Sequence, residues 1–175
     1  MPFLMKENEV TFIGRHIKPE YSVLEVGSGA STTEFAERTR KVVSLEHHER
    51  WYKRVKNNLA KFDNVEYVLR KPNKKWRKYK TDGSYDSFKD YIDYLSSLKD
   101  EHFDLIFIDG RARRDCLLAI GAHHPDAIFF LHDFYLDEEV LKKNPSRRGY
   151  LDLLETFEIV ELVDTLVMLR YKGSQ

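Results

Sequence analysis

Five short runs of the chain are apolar on successive residues: 21–26 (YSVLEV), 41–46 (KVVSLE), 65–70 (VEYVLR), 103–109 (FDLIFID) and 127–132 (AIFFLH). Runs of that length and composition predict strands covered on both faces. The stretches between them carry helical spacing. Residues 31–40 open with Ser31 and Thr32 ahead of Glu34, and 48–61 place Trp51, Val55 and Leu59 four apart. Residues 84–98 bring Tyr91, Ile92, Tyr94, Leu95 and Leu98, and 112–121 bring Cys116, Leu117, Leu118 and Ile120. Strand alternating with helix predicts a parallel sheet with right-handed crossovers. The alternation stops at 157–163 (FEIVELV) and 165–171 (TLVMLRY), which have only Asp164 between them and predict a hairpin. The expected fold is therefore α/β, a doubly wound sheet of seven strands, mostly parallel, with an antiparallel hairpin at the C-terminal end.

Composition narrows the classes. The 175 residues are 42% hydrophobic and 13% aromatic, enough to bury one core, so residues 1–175 are expected to form a single domain. Lys plus Arg equal Asp plus Glu at 29 each, so bulk charge does not argue for nucleic acid. Cys116 stands alone, no run is long enough to span a membrane, and no segment reads as a signal peptide, so a cytoplasmic location is expected.

The least regular stretches, 71–83 and 142–149, follow the third and fifth strands. They belong to the carboxyl edge of the sheet, where open parallel sheets bind ligands. The first strand also runs into that edge, as VLEVGSGAST (23–32). Gly27 and Gly29 permit a sharp turn close to a ligand, and the helix that follows offers free N–H groups. A dinucleotide fingerprint wants a third glycine where this chain has Thr32. Glu25 suits an ammonium group better than a phosphate, and Glu46, ending the second strand, suits ribose hydroxyls.

In that order, LEVGSGAST, VVSLEHHERW, FDLIFIDGRARRDCLLAI and LHDFYL with the tail RRGYLDLLETFEIVELVDTLVMLRY resemble class I S-adenosylmethionine-dependent methyltransferases, from about Glu7 onward. The resemblance implies a Rossmann-like sheet. Within that superfamily the chain looks nearest to small O-methyltransferases of the catechol and macrolide-sugar kinds. The resemblance implies that Glu25, Gly27, Ser28 and Gly29, with Ser31 beside them, face the methionine end of S-adenosyl-L-methionine. It puts Glu46 at the ribose and His47 or His48 near the adenine. Arg70, Lys71 and Pro72 stand where many such enzymes carry an acid for the adenine amine, which leaves that contact unassigned.

Methyl transfer needs an aligned acceptor and, for a hydroxyl, a base or a masking cation. Asp109 ends the fourth strand, adjoining the cofactor as well, and His132 and Asp133 end the fifth. In the resembled families, acids at these places hold a magnesium ion. Here Asp109 and Asp133 match and His132 replaces the first acid. Two mechanisms follow: Asp109 and Asp133 hold Mg2+, or His132 takes the proton while an aspartate orients it. Arg111, Arg148 and Tyr150 are the candidates for gripping the acceptor. The expected activity is O-methylation of a small-molecule or glycan acceptor. Two alternatives remain: nucleic-acid or nucleotide methylation using the basic run 70–80 (RKPNKKWRKYK), and a non-catalytic cofactor-binding module.

Overall fold

The computed structural model describes residues 5–75, 82–143 and 145–173, with the side chains of 145–149 outside that description. Five parallel strands come first: β1 (Ser22–Val26), β2 (Lys41–Glu46), β3 (Val65–Leu69), β4 (Leu105–Ile108) and β5 (Ile128–Leu131). Strands β6 (Phe157–Val163) and β7 (Leu166–Tyr171) form the hairpin, and β7 inserts antiparallel beside β5 to give the order β3-β2-β1-β4-β5-β7-β6. Asp164 makes the tight connection with a left-handed φ of 51°. The expected seven-stranded, mostly parallel Rossmann-like sheet is the one found.

Side-chain alternation divides the core into two layers. Leu24, Val26, Ile106, Ile108, Phe129 and Leu131 pack on one face, against α4 (Lys89–Ser97) and α5 (Arg113–Gly121). Val23, Phe107 and Phe130 pack on the other, against α1 (Glu7–Gly14) and α2 (Ala30–Arg38). Helix α3 (Glu49–Leu59) buries Val55 and Leu59, whereas Trp51, expected on the same apolar stripe, is half-buried at the sheet's carboxyl edge. No helix among the described residues is long and apolar enough to cross a membrane.

Register positions the site. Val26 pairs with Leu45 and Ile108, and Ile108 with Leu131. Gly27, Glu46, Asp109 and His132 are each the next residue along, so four strands deliver them to one row at one edge.

Two segments depart from expectation. Helix α1 arises from a short stretch in which Glu9, Phe12 and Ile13 share the buried face. The stretch 142–149, read as loop, is divided between α6 (Glu138–Lys143) and a 3-10 helix, Pro145–Glu155. Tyr150 and Leu153 anchor that second helix in the core, which polar composition alone does not reveal. Of the other expected loop, residues 76–81 lie outside the described residues.

Candidate active site

At the end of β1 the chain turns through Gly27, whose φ is 100°; a Cβ there would lie 2.4 Å from the backbone nitrogen of Gly110. Gly27 is thus required by both conformation and space. Gly29 differs, since a Cβ at Gly29 would meet nothing nearer than Ser31 Oγ at 3.8 Å. Room beside the turn, not backbone strain, is what Gly29 supplies.

Glu25 sits beneath this turn, fully buried. It accepts hydrogen bonds from Ser31 Oγ at 2.5 Å, from Thr32 Oγ1 at 2.6 Å and from Ser44 Oγ. Thr32 Oγ1 also accepts the Gly29 N–H at 2.9 Å, so the residue in the third-glycine position carries Glu25's hold on to the loop. Burial pushes the Glu25 carboxyl up to about 7, against the pull of the three hydroxyls. Glu25 and Ser31, expected at the methionine end of the cofactor, bond one another at 2.5 Å beneath the loop and do not themselves line the cavity.

Glu46 reaches the cavity. Its Oε2 accepts from Ser28 N at 3.1 Å and Ser28 Oγ at 2.8 Å, and its Oε1 from the backbone N–H groups of His47 and His48. Burial works against its charge, but these donors and the His47 ring outweigh it and hold the carboxyl below its ordinary range. Ser28 Oγ has Tyr67 Oη at 2.6 Å as a second partner, so it can give up Glu46 to a ribose hydroxyl without being left bare. His47 packs edge-on to Phe88 and Tyr91; His48 caps α3 by accepting the Trp51 N–H. Trp51, which sequence reasoning placed in the core, donates Nε1–H to Ser28 O at 2.6 Å and lines the cavity.

The same cavity, about 520 Å3, continues to the ends of β4 and β5, so the cofactor residues and the acceptor rim share one space. Its size suits a nucleoside-sized ligand. Asp109 Oδ1 lies 2.8 Å from His132 Nδ1, and the other ring nitrogen, Nε2, faces Glu9 Oε2 at 3.4 Å. Burial disfavours the imidazolium, but the Asp109 hydrogen bond and charge, with Asp133, outweigh it and raise the His132 pKa. Glu9 is itself buried; the penalty is overcome by the Lys6 N–H, by Thr165 and by His132, which hold its carboxyl below the usual range. His132 is therefore clasped between two carboxylates. The aspartate expected to orient His132 is Asp109, and the ring nitrogen left to take a proton faces Glu9.

Arg113 joins the rest of the rim. Its guanidinium, 5% exposed, donates to Asp109 Oδ1 at 3.0 Å, to Asp133 Oδ2 at 2.5 Å and to the backbone oxygens of Asp109, Gly110 and His132. The two carboxylates assigned to magnesium are thus already joined by a cation. Asp133 adopts a left-handed φ of 60°, and Asp137 caps the first turn of α6 by accepting from the backbone of Glu139 and Val140.

Of the acceptor candidates, Arg111 lines the cavity with its guanidinium 3.6 Å from Asp82. Tyr150 is corrected: it is 2% exposed and its hydroxyl donates to Asp82 at 2.6 Å, so it braces the rim from below and presents no face for stacking. The Arg148 side chain lies outside the described residues. Sequence reasoning missed Glu9, Trp51, Asp82 and Arg113. For Glu9 the signal was its helical spacing from Phe12 and Ile13; for Arg113, which opens α5 after a non-helical turn, the sequence carries no comparable signal.

Residues 4–101 match the family model described as ribosomal RNA adenine dimethylase. No curated protein matches the chain. Among solved structures, a methyltransferase-like protein from Silicibacter pomeroyi is 21% identical, with a TM-score of 0.78 over 99% of this chain and 89% of that one. Precorrin 8w decarboxylase from Methanobacterium thermoautotrophicum is 18% identical, with a TM-score of 0.61 over 99% and 93%. The 23S rRNA methyltransferase ErmE is 20% identical, with a TM-score of 0.55 over 98% and 70%. At these identities the likeness is one of fold. The family match spans more than half of the 175 residues and includes the whole of the Gly27 turn and Glu46, and on that basis the chain belongs to the ribosomal RNA adenine dimethylase family and is an S-adenosylmethionine-dependent methyltransferase.

Proposed function

We propose that the chain methylates a nitrogen of a nucleic-acid base, with RNA as the acceptor class. The family match carries this reading. Because the matched stretch ends at residue 101, before β4, the acceptor side is argued from this chain's own rim.

S-adenosylmethionine supplies an activated methyl group, and Glu46, Gly27, Ser28 and the Trp51 edge are the groups that would hold it. The rim supports a nitrogen acceptor on chemical grounds. A hydroxyl must surrender its proton as it attacks, whereas an amine can shed one after the new bond forms. Asp109 and Asp133, about a quarter exposed, offer oxygens that accept N–H groups. They are well suited to hold an amine, and His132 is committed elsewhere. Exposed cations stand next to the cavity-lining Trp51 along α3, as Arg50, Lys53 and Arg54, and follow β3, as Lys71, Lys74 and Lys75; such groups are suited to phosphates.

The oxygen-acceptor reading keeps one observation in its favour, the Asp109–His132 pair. One experiment separates the two. Enzyme and S-adenosylmethionine labelled in the methyl group are incubated with total RNA, or with hydroxylated sugars and catechols, and labelled products are digested and separated. Label in a methylated base, lost with Glu46→Ala, is expected; label in sugars or catechols with none in RNA would overturn the nitrogen reading.

A further inference from the structure

The rim collects three residues, Asp109, His132 and Asp133, whose ligand atoms all lie within 4.8 Å of one another. Taken alone, two carboxylates and an imidazole at that spacing look like a divalent metal site. The fourth residue changes the chemistry. We propose that Arg113 is the built-in cation of this rim and takes the place of a divalent ion, so that the site as folded does not bind one.

Three observations carry this. First, the guanidinium lies between the would-be ligands and uses them: Nη2 meets Asp109 Oδ1 at 3.0 Å and Nη1 meets Asp133 Oδ2 at 2.5 Å. A divalent ion at the same oxygens would sit against a buried positive charge, with repulsion acting in a medium less screening than water. Second, the guanidinium is not a surface side chain that can swing away. It is 5% exposed, and three backbone oxygens, those of Asp109, Gly110 and His132, also accept from it. Breaking all five contacts to admit an ion would strand buried donors and acceptors. Third, His132 does not present a lone pair toward an ion: Nδ1 is engaged by Asp109 and Nε2 faces Glu9. Burial weighs against the Arg113 charge, but Asp109, Tyr150, Asp82 and Asp133 around it keep it protonated.

A fixed cation has a different use from an exchangeable one. Because Arg113 donates to backbone and side chain of both strand ends, it sets the distance between β4 and β5 at the point where the acceptor meets the cofactor. It also holds each aspartate by one oxygen, Oδ1 of Asp109 and Oδ2 of Asp133. Arg113 is in this sense a positioning residue.

The test uses Mn2+ as the probe, read by the loss of its free-ion electron paramagnetic resonance signal. Wild-type protein and Arg113→Lys are expected to leave the signal of equimolar Mn2+ unchanged. Arg113→Ala, checked for folding by circular dichroism, is expected to take up one Mn2+, and Arg113→Ala with Asp133→Asn to take up none. Uptake of one Mn2+ by the wild-type protein, abolished by Asp133→Asn, overturns the proposal. So does a folded Arg113→Ala that takes up none. Should Arg113→Ala fail to fold, the wild-type titration still decides, and Arg113→Gln, which keeps part of the hydrogen bonding, replaces it as the gain-of-binding variant.

Discussion

His132 Nδ1 and Asp109 Oδ1 meet at 2.8 Å across the ends of two neighbouring parallel strands, β5 and β4. The contact follows from register: Ile108 pairs with Leu131, so the next residue on each strand is brought alongside. The raised pKa of His132 gives the pair a pH signature. A histidine whose pKa is raised by folding contributes stability fully below its unfolded value, near 6.5, and loses it as pH climbs through the folded value. Against His132→Gln, the wild-type protein is expected to be more stable at pH 6 by about 1.5–3 kcal/mol, the worth of a hydrogen bond to a charged group. By pH 9 the gap should have narrowed. Urea denaturation of both proteins at the two pH values measures it, and a gap independent of pH would show that the imidazole is not charged in the fold.

The two glycines of the turn are expected to behave differently on gaining a methyl group. At Gly27 an added Cβ collides with Gly110 backbone at 2.4 Å, and the φ of 100° is one that alanine resists. Gly27→Ala should cost about 2–4 kcal/mol or fail to fold. At Gly29 the backbone is extended and the nearest atom is 3.8 Å away, so Gly29→Ala should fold with stability within ~1 kcal/mol of wild type. Calorimetric titration with S-adenosylhomocysteine then asks whether the space above Gly29 is used. At least tenfold weaker binding by a well-folded Gly29→Ala is expected, and unchanged affinity would move the ligand off the turn.

Most of the fold was legible because strands covered on both faces must be apolar on every residue, and five such runs with helical spacing between them leave few arrangements. The hairpin was legible for the opposite reason: with Asp164 alone between two strand runs, no crossover is possible. What sequence could not supply is which polar residues face inward. Glu25 reads as an acid beside a ligand loop, yet the pleat turns it toward the start of α2, where the Ser31 and Thr32 hydroxyls receive it together with that of Ser44 on β2. Arg113 reads as one of three arginines in GRARRD, and only the left-handed Ala112 before it, with φ 49°, turns it back under the rim while Arg114 goes outward to Asp152. Tyr150 reads as a surface aromatic after a basic loop, but its hydroxyl is taken by Asp82, a residue 68 positions away.

Glu25 offers a second pH test. Its carboxyl is pushed up to about 7 by burial, so the folded protein holds a proton there that the unfolded chain releases above its ordinary carboxylate range. Stability from this group is full at pH 4.5 and is lost as pH rises to about 7 and beyond. The full span is on the order of 3 kcal/mol. Glu25→Gln keeps the shape without the charge, so it should remove that slope and be the more stable protein, relative to wild type, at pH 8. Denaturation midpoints across pH 5–8 check this, and parallel slopes for the two proteins would place the ionisation elsewhere.

The RNA reading makes a prediction about salt. Arg50 and Arg54 are exposed on α3, two and six residues past its capping His48, and among the described residues neither has an ion-pair partner; Arg54 lies over the Trp51 ring at 5.6 Å. Lys53 and Lys71, by contrast, share Glu49, at 3.1 and 2.7 Å, so part of their charge is already answered. If the face beside the cavity follows a phosphate backbone, each unanswered cation that contacts a phosphate releases about 0.7 of a counterion on single-stranded nucleic acid. Arg50→Ala combined with Arg54→Ala should therefore flatten the plot of log affinity against log salt by about 1.4, measured by filter binding of an RNA oligonucleotide between 50 and 200 mM salt. Neither side chain lines the cavity, so S-adenosylhomocysteine affinity should not change. A slope equal to that of wild type would exclude these two residues from the RNA path, and an absence of salt-dependent RNA binding in the wild-type protein itself would return the acceptor to the small molecules that the Asp109–His132 pair also suits.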